Sequence, residues 1–157
     1  MMNRTGDNLP TQVAELYSSL IAAWNDADAM RFADQFTTEG SLVGFDGSTV
    51  NGRSEIEHHL REIFGHHKTA TYVCQVRFVR TLGAPHAVLE AVAGMVPPGG
   101  SDIKPELNTV QCLTASRTGD QWRIEHYQNT LAAYYGRPEI QHALNEELRR
   151  LLPQASE

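Results

Sequence analysis

Apolar residues at Val13, Leu16, Tyr17, Leu20, Ile21 and Trp24 recur every three or four positions, the spacing that gathers them on one side of a helix. Asn8 stands where a cap would, and Pro10 falls in the first turn. A shorter stripe of Ala29, Phe32, Ala33 and Phe36 predicts a second helix, with Asp26 or Asp28 to accept hydrogen bonds from its first amides. The pattern then changes. Ser41 to Phe45 and Ser48 to Asn51 flank Asp46-Gly47, a dipeptide suited to a two-residue turn with positive φ, so a short hairpin is expected. Ser54-Glu55-Ile56-Glu57 reads as a capping box, after which Ile56, Leu60, Ile63 and Phe64 form the apolar side of a third helix ending at Gly65.

Beyond residue 68 the chain is rich in Val, Thr and aromatic residues. Thr69 to Leu82, Ala87 to Val96, Leu107 to Arg117 and Trp122 to Leu131 are separated by turn residues and predict consecutive antiparallel strands. Pro97-Pro98-Gly99-Gly100 through Pro105 breaks the run and makes the longest connection. A final amphipathic stretch, Pro138 to Leu152, carries Ile140, Leu144, Leu148, Leu151 and Leu152 on one side. The expected fold is α+β: a cone-shaped, bent antiparallel sheet packed on three N-terminal helices, with an extra C-terminal helix. Residues 1–9 are expected to form a flexible tail, 10–132 the cone domain and 133–157 a helical extension.

Composition narrows the function classes. A chain of 157 residues, 41% hydrophobic, supports one core without disulfide or metal staples. No apolar run approaches the roughly 18 residues a membrane span needs, and the N-terminus lacks a signal pattern, so a soluble, cytoplasmic protein with no membrane partner is expected. The net charge of −6 and the scattered basic residues argue against nucleic acid. Cys74 and Cys112 lie in strand-like segments without a CxxC pair and are expected to be buried free thiols.

Helix, helix, hairpin, helix and bent sheet, with Ala22-Ala23-Trp24-Asn25 before the second helix and Asn51-Gly52-Arg53-Ser54-Glu55-Ile56 before the third, resemble the nuclear-transport-factor-2-like superfamily, and within it SnoaL-like proteins. Gly119-Asp120-Gln121-Trp122-Arg123-Ile124 followed by Tyr127-Gln128-Asn129-Thr130 resembles the SgcJ/EcaC-type subgroup found in enediyne and other polyketide pathways. The resemblance implies a pocket for an apolar small molecule such as a polyketide intermediate, and a homodimer formed through the open sheet face. It also brings an inherited oxidoreductase label, but no GxGxxG follows a strand and opens a helix, and no cofactor is expected. The best-understood chemistry of such folds is proton transfer beside a carbonyl by a carboxylate base. An ungapped alignment to the steroid-isomerase pattern sets its base position on Gly44, its helix-one tyrosine on Leu20 and its fifth-strand acid near Cys112, so that constellation is missing.

The remaining candidates follow from position. Asp46 either caps its own turn or approaches a ligand from the hairpin. Glu90 interrupts an apolar strand and either points outward or serves a site. His58-His59 and His66-His67 suggest a metal, but His59 and His66 would stand roughly 10 Å apart along a helix, so no metal is expected and His59 is read as a wall residue. In strict alternation Trp122, Ile124, His126, Gln128 and Thr130 share one strand face. With Trp122 and Ile124 inside, His126 and Gln128 would face the interior as proton carrier and carbonyl-orienting group, and a bulge would reverse this. Tyr17, Trp24, Phe32, Phe36, Phe45 and Phe64 would supply the apolar wall. Three readings stay open: a cofactor-independent cyclase or isomerase, a non-catalytic ligand carrier, and a plain association domain.

Overall fold

The computed structural model describes the backbone of residues 4–153 and the side chains of residues 11–153. Helices α1 (Arg4–Asn25) and α2 (Ala29–Asp34) lead into strands β1 (Phe36–Val43) and β2 (Thr49–Asn51), helix α3 (Arg53–His66), strands β3 (Thr71–Thr81), β4 (His86–Val96), β5 (Thr109–Thr118) and β6 (Gln121–Leu131), and helix α4 (Pro138–Arg149). This is the expected α+β cone. One six-stranded sheet runs β2-β1-β6-β5-β4-β3. β1 lies parallel to β6 and every other pair is antiparallel. No described helix is long and apolar enough to cross a membrane.

The sheet bends because its ladders are interrupted. Register shifts lie between Val76 and Phe78 in β3, between Ile124 and His126 in β6, and between Phe36 and Ser41 in β1; each extra residue sharpens the local twist. At the last of these the strands approach so closely that a Cβ on Gly40 would sit 2.8 Å from the Ile124 carbonyl oxygen, so only glycine fits. The concave face receives α1, α2 and α3, with Val13, Leu20, Ile56, Leu60, Leu89, Leu113 and Ile124 buried between the layers.

A second, smaller cluster lies on the convex face. Leu144 and Leu148 of α4 pack with Val92, Ile103 and Ala132. Arg77 pairs with Glu147 and Arg149 with Asp102, while the Asn108 amide donates to Asn145 Oδ1 at 2.7 Å. The proline-rich connection is thus packed down beneath α4, with Ile103 buried.

Several local expectations change. α1 begins at Arg4, so Asn8 lies inside it and the helix takes in part of the expected tail; residues 1–3 fall outside the described residues. Phe36 opens β1 instead of closing α2. The preceding Gln35 carbonyl already accepts from Ile124 N at 2.7 Å, and Arg53 donates twice to the Phe36 carbonyl, at 2.9 and 2.6 Å. The hairpin turn holds three residues, not two. Gly47 N donates to the Gly44 carbonyl and Gly44 N to that of Ser48, with Gly47 at φ 89°, the left-handed bulge position of a three-residue loop. Gly52, not Ser54, precedes the first turn of α3, and no side chain caps it. Asp28 does cap α2, accepting from Arg31 N at 3.0 Å.

Candidate functional site

A cavity of about 300 Å³ opens between the helices and the concave face, lined by Ile21, Trp24, Phe32, Leu42, Gly44, Phe45, Asp46, Ser48, His59, Leu60, Ile63, Tyr72, Tyr127 and Asn129. Trp24 organises its wall. The indole ring meets Phe32 at 6.4 Å, Phe64 at 5.3 Å and Tyr72 at 5.6 Å between centroids, distances at which tilted aromatic pairs attract. Its Nε1 donates to the Ala70 carbonyl at 2.8 Å. Asn25 beside it both donates to the Tyr72 carbonyl, at 3.1 Å, and accepts from Tyr72 N, at 2.8 Å. The Trp24-Asn25 pair therefore fixes the end of α1 to the start of β3 and sets the width of the cone.

The mouth lies at the β1–β2 turn, where Phe45 is 41% exposed. Asp46 Oδ1 accepts from Ser48 N at 2.9 Å and Oδ2 from Ser48 Oγ at 3.0 Å. These bonds hold its carboxyl below the usual carboxylate range, so it is ionised at neutral pH. A Cβ on Gly44 would stand 3.3 Å from Asp46 Oδ1, so the Asp46 carboxylate reaches the space beside the vacant base position. Deeper in the cone the polar groups are hydroxyls and an amide. Burial pushes the Tyr72 hydroxyl up to about 12 and that of Tyr127 well above its ordinary value. Both remain neutral donors at physiological pH. Tyr127 donates to Asn129 Oδ1 in a long contact of 3.4 Å.

Among the expected site residues, Trp24, Phe32, Phe45, Asp46 and His59 converge on this cavity. The others stand elsewhere. Tyr17 is buried behind it, donating to Gln111. Phe36, 0% exposed, supports Phe32 from below at 5.8 Å. Phe64 lines a separate shallow depression with Asp26, Met30 and Arg61. Glu90 lies opposite Phe78 and Cys112, on the convex face, because its neighbours Leu89 and Ala91 are the residues that enter the core.

The larger correction concerns β6. Ile124 pairs with Ala115 but His126 with Thr114, so Glu125 is a bulge residue and the alternation reverses after it. Tyr127 and Asn129 face the cavity, while His126 and Gln128 turn to the convex side. There His126 Nδ1 meets Ser41 Oγ at 2.7 Å and its Nε2 meets Gln128 Oε1 at 3.3 Å. The cysteines also differ from expectation, since Cys112 is exposed on that face and Cys74 only half-buried. Sequence reasoning missed Tyr72, Tyr127 and Asn129 as lining residues. The Tyr-Gln-Asn-Thr motif contained two of them, but only the bulge shows which.

Residues 13–134 match the family described as the SnoaL-like domain. Among solved structures, a cystatin-like-fold domain from Nostoc punctiforme superposes with a TM-score of 0.75 at 22% identity, covering 89% of each chain. A ketosteroid isomerase-like protein from Erwinia carotovora atroseptica gives 0.63 at 13%, over 78% of this chain and 95% of that one. An NTF-2 like protein from Shewanella oneidensis gives 0.63 at 15%, over 76% and 97%. At these identities the likeness is one of fold. No protein of curated function matches the sequence.

Proposed function

This chain belongs to the SnoaL-like domain family of the nuclear-transport-factor-2-like superfamily, and from that premise we propose that it holds a flat, apolar small molecule, an intermediate of polyketide or related secondary metabolism, within the cone. The observation that carries this reading is the cavity wall: Trp24, Phe32, Phe45, Tyr72 and Tyr127 surround about 300 Å³ with few polar groups among them. That volume is at the lower end of the roughly 300–1,000 Å³ of small-molecule sites, which share this apolar lining with a few orienting polar groups. The likeness of the Gly119 to Ile124 and Tyr127 to Thr130 segments to the enediyne-pathway subgroup supports the pathway assignment.

Binding without chemistry is the better supported half of the proposal. Asp46 is a carboxylate whose proton affinity is lowered by Ser48, which makes it a weak general base. If a proton is moved, Asp46 and His59 are the acid–base groups that share the cavity wall with the ligand, whereas His126, Gln128 and Glu90 lie outside that wall. A homodimer formed through the convex face completes the proposal.

Native mass spectrometry of the purified protein, beside a denatured control, tests it directly. The expected result is a co-purified aromatic or polyene mass, with Trp24 fluorescence quenched as the same compound is added back and no quenching in Trp24→Phe. Absence of any bound mass, together with no quenching by aromatic compounds at tens of micromolar, would sink the reading. If turnover of the identified ligand is found, Asp46→Asn and His59→Ala should lower kcat; a carrier would lose affinity alone.

A further inference from the structure

The wall of the cone is one-sided in its electrostatics. Trp24, Phe32, Phe45, Tyr72 and Tyr127 line the cavity, and no lysine or arginine does. Four of these rings form a continuous arc. Tyr72 stands 5.6 Å from Trp24, Trp24 6.4 Å from Phe32 and Phe32 6.5 Å from Tyr127, between centroids. An aromatic face carries negative potential and attracts a cation brought within about 6 Å of its centre, most strongly where water is displaced.

The one carboxylate on this wall belongs to Asp46. Both of its hydrogen bonds come from Ser48, one from the backbone amide and one from the hydroxyl. These neutral donors fix the group in place without cancelling its charge. Among the described residues no lysine, arginine or histidine forms an ion pair with it. Gly44, which also lines the cavity, leaves the space beside Oδ1 unfilled, since only an added Cβ would come within 3.3 Å of it. The depression on the far side of His59 carries Glu55 and Glu62 and again no lysine or arginine. A cleft lined by one sign of charge draws in ligands of the other.

We infer that the cone selects a cationic ligand, an apolar body bearing a protonated or quaternary amine, with the ammonium held at the mouth by Asp46 and the aromatic rings. The inference rests on the ligand-binding reading above and adds the charge and direction of the ligand. The apolar body lies against Trp24, Phe32 and Tyr127, and the ammonium points outward toward Asp46. Because Asp46 is exposed, the ammonium keeps part of its water there and escapes the full desolvation cost of a buried ion. A carboxylate in the same place would meet Asp46 and the ring faces with no lysine or arginine on the wall to offset them.

The test uses three probes of similar size at pH 8: 2-(aminomethyl)naphthalene, a cation; 2-naphthalenemethanol, neutral; and 2-naphthoate, an anion. Calorimetry on the full chain should show the amine bound at least about tenfold more tightly than the alcohol, and the naphthoate most weakly. In Asp46→Asn, which keeps an oxygen for the Ser48 amide, the amine-to-alcohol ratio should fall to within about threefold while the alcohol binds as before. Glu139→Gln, on the exposed start of α4 and outside the cone, changes the net charge equally and should leave the ratio unchanged. Thermal melts check that each variant folds. Equal affinity of the native protein for amine and alcohol, or a preference for the naphthoate, would overturn the inference while leaving the pocket intact. A preference that survives Asp46→Asn would overturn it as well, and so would one lost equally in Glu139→Gln, which would mark it as an effect of overall charge. Binding of none of the three probes would remove the ligand-binding reading and this inference with it.

Discussion

Tyr17, Tyr72 and Tyr127 are weak acids enclosed in apolar surroundings, and burial raises all three above the ordinary phenol value. An unfolded tyrosine releases its proton near pH 10, whereas folded Tyr72 keeps it until about 12. Between those values the unfolded chain binds fewer protons than the native one, so stability must fall as pH rises, by about 1.4 kcal/mol per pH unit for each tyrosine held back. Below about pH 10 the three groups are protonated in both states and contribute no slope. Denaturant midpoints measured on either side of pH 10 should bend downward above it, in step with the absorbance of ionising phenol. A stability curve unchanged across pH 10 would mean that these hydroxyls are open to water, which would also dissolve the Tyr17–Gln111 pair.

At the scale of the element, the bulge at Glu125 decides which half of β6 serves the cavity. Deleting Glu125 would remove the unpaired residue and restore strict alternation with Trp122 and Ile124 still inside, without changing the face of any later side chain, because their partners on β5 are already consecutive. His126 would follow Ile124 directly and stay outside with Gln128, while Tyr127 and Asn129 would keep facing the cavity. The expected outcome is retained ligand binding with a lower melting temperature, since Tyr127 keeps its place in the main core while the strand loses its local bend; loss of binding with collapse of the fold would show that the later half of β6 had been turned over and that Glu125 is not the extra residue. The same bulge marks the limit of what was legible. Periodicity located the helices and the four long strands and set Trp24 and Phe32 of the cavity wall, because burial of one face imposes its period on the chain. It could not locate an extra residue in a ladder, since Arg123, Glu125 and Asn129 read alike as polar positions until the partner strand shows which of them is unpaired. Phe36 was misread for a related reason. One apolar residue at helical spacing also satisfies the first position of a strand, and the deciding contact, Arg53 on its carbonyl, comes from 17 residues away.

For the whole molecule, the convex face divides in two. α4 and the proline-rich connection cover the end near β3 and β4, packing on Val92. Over β1, β6 and β5 the face stays open, with Ser41, Cys112, Thr114, His126 and Gln128 turned outward. A second copy seated there by a two-fold axis would meet the same residues on its partner, and α4 would set the edge of the contact. The proposed homodimer therefore has a specific weak point. Gln128→Arg introduces a charge on each copy at a surface that must lose water. Sedimentation at micromolar concentration should show the native chain as a dimer and this variant as a monomer, with the melting temperature falling as the protein is diluted only in the native case. Cys112 gives the second readout, because its exposed thiol would be shielded in the dimer and react faster with a disulfide reagent once the copies separate. A native chain that sediments as a monomer, with Cys112 reacting equally fast in both proteins, would leave the open half of the sheet to solvent and confine the protein's function to its cone.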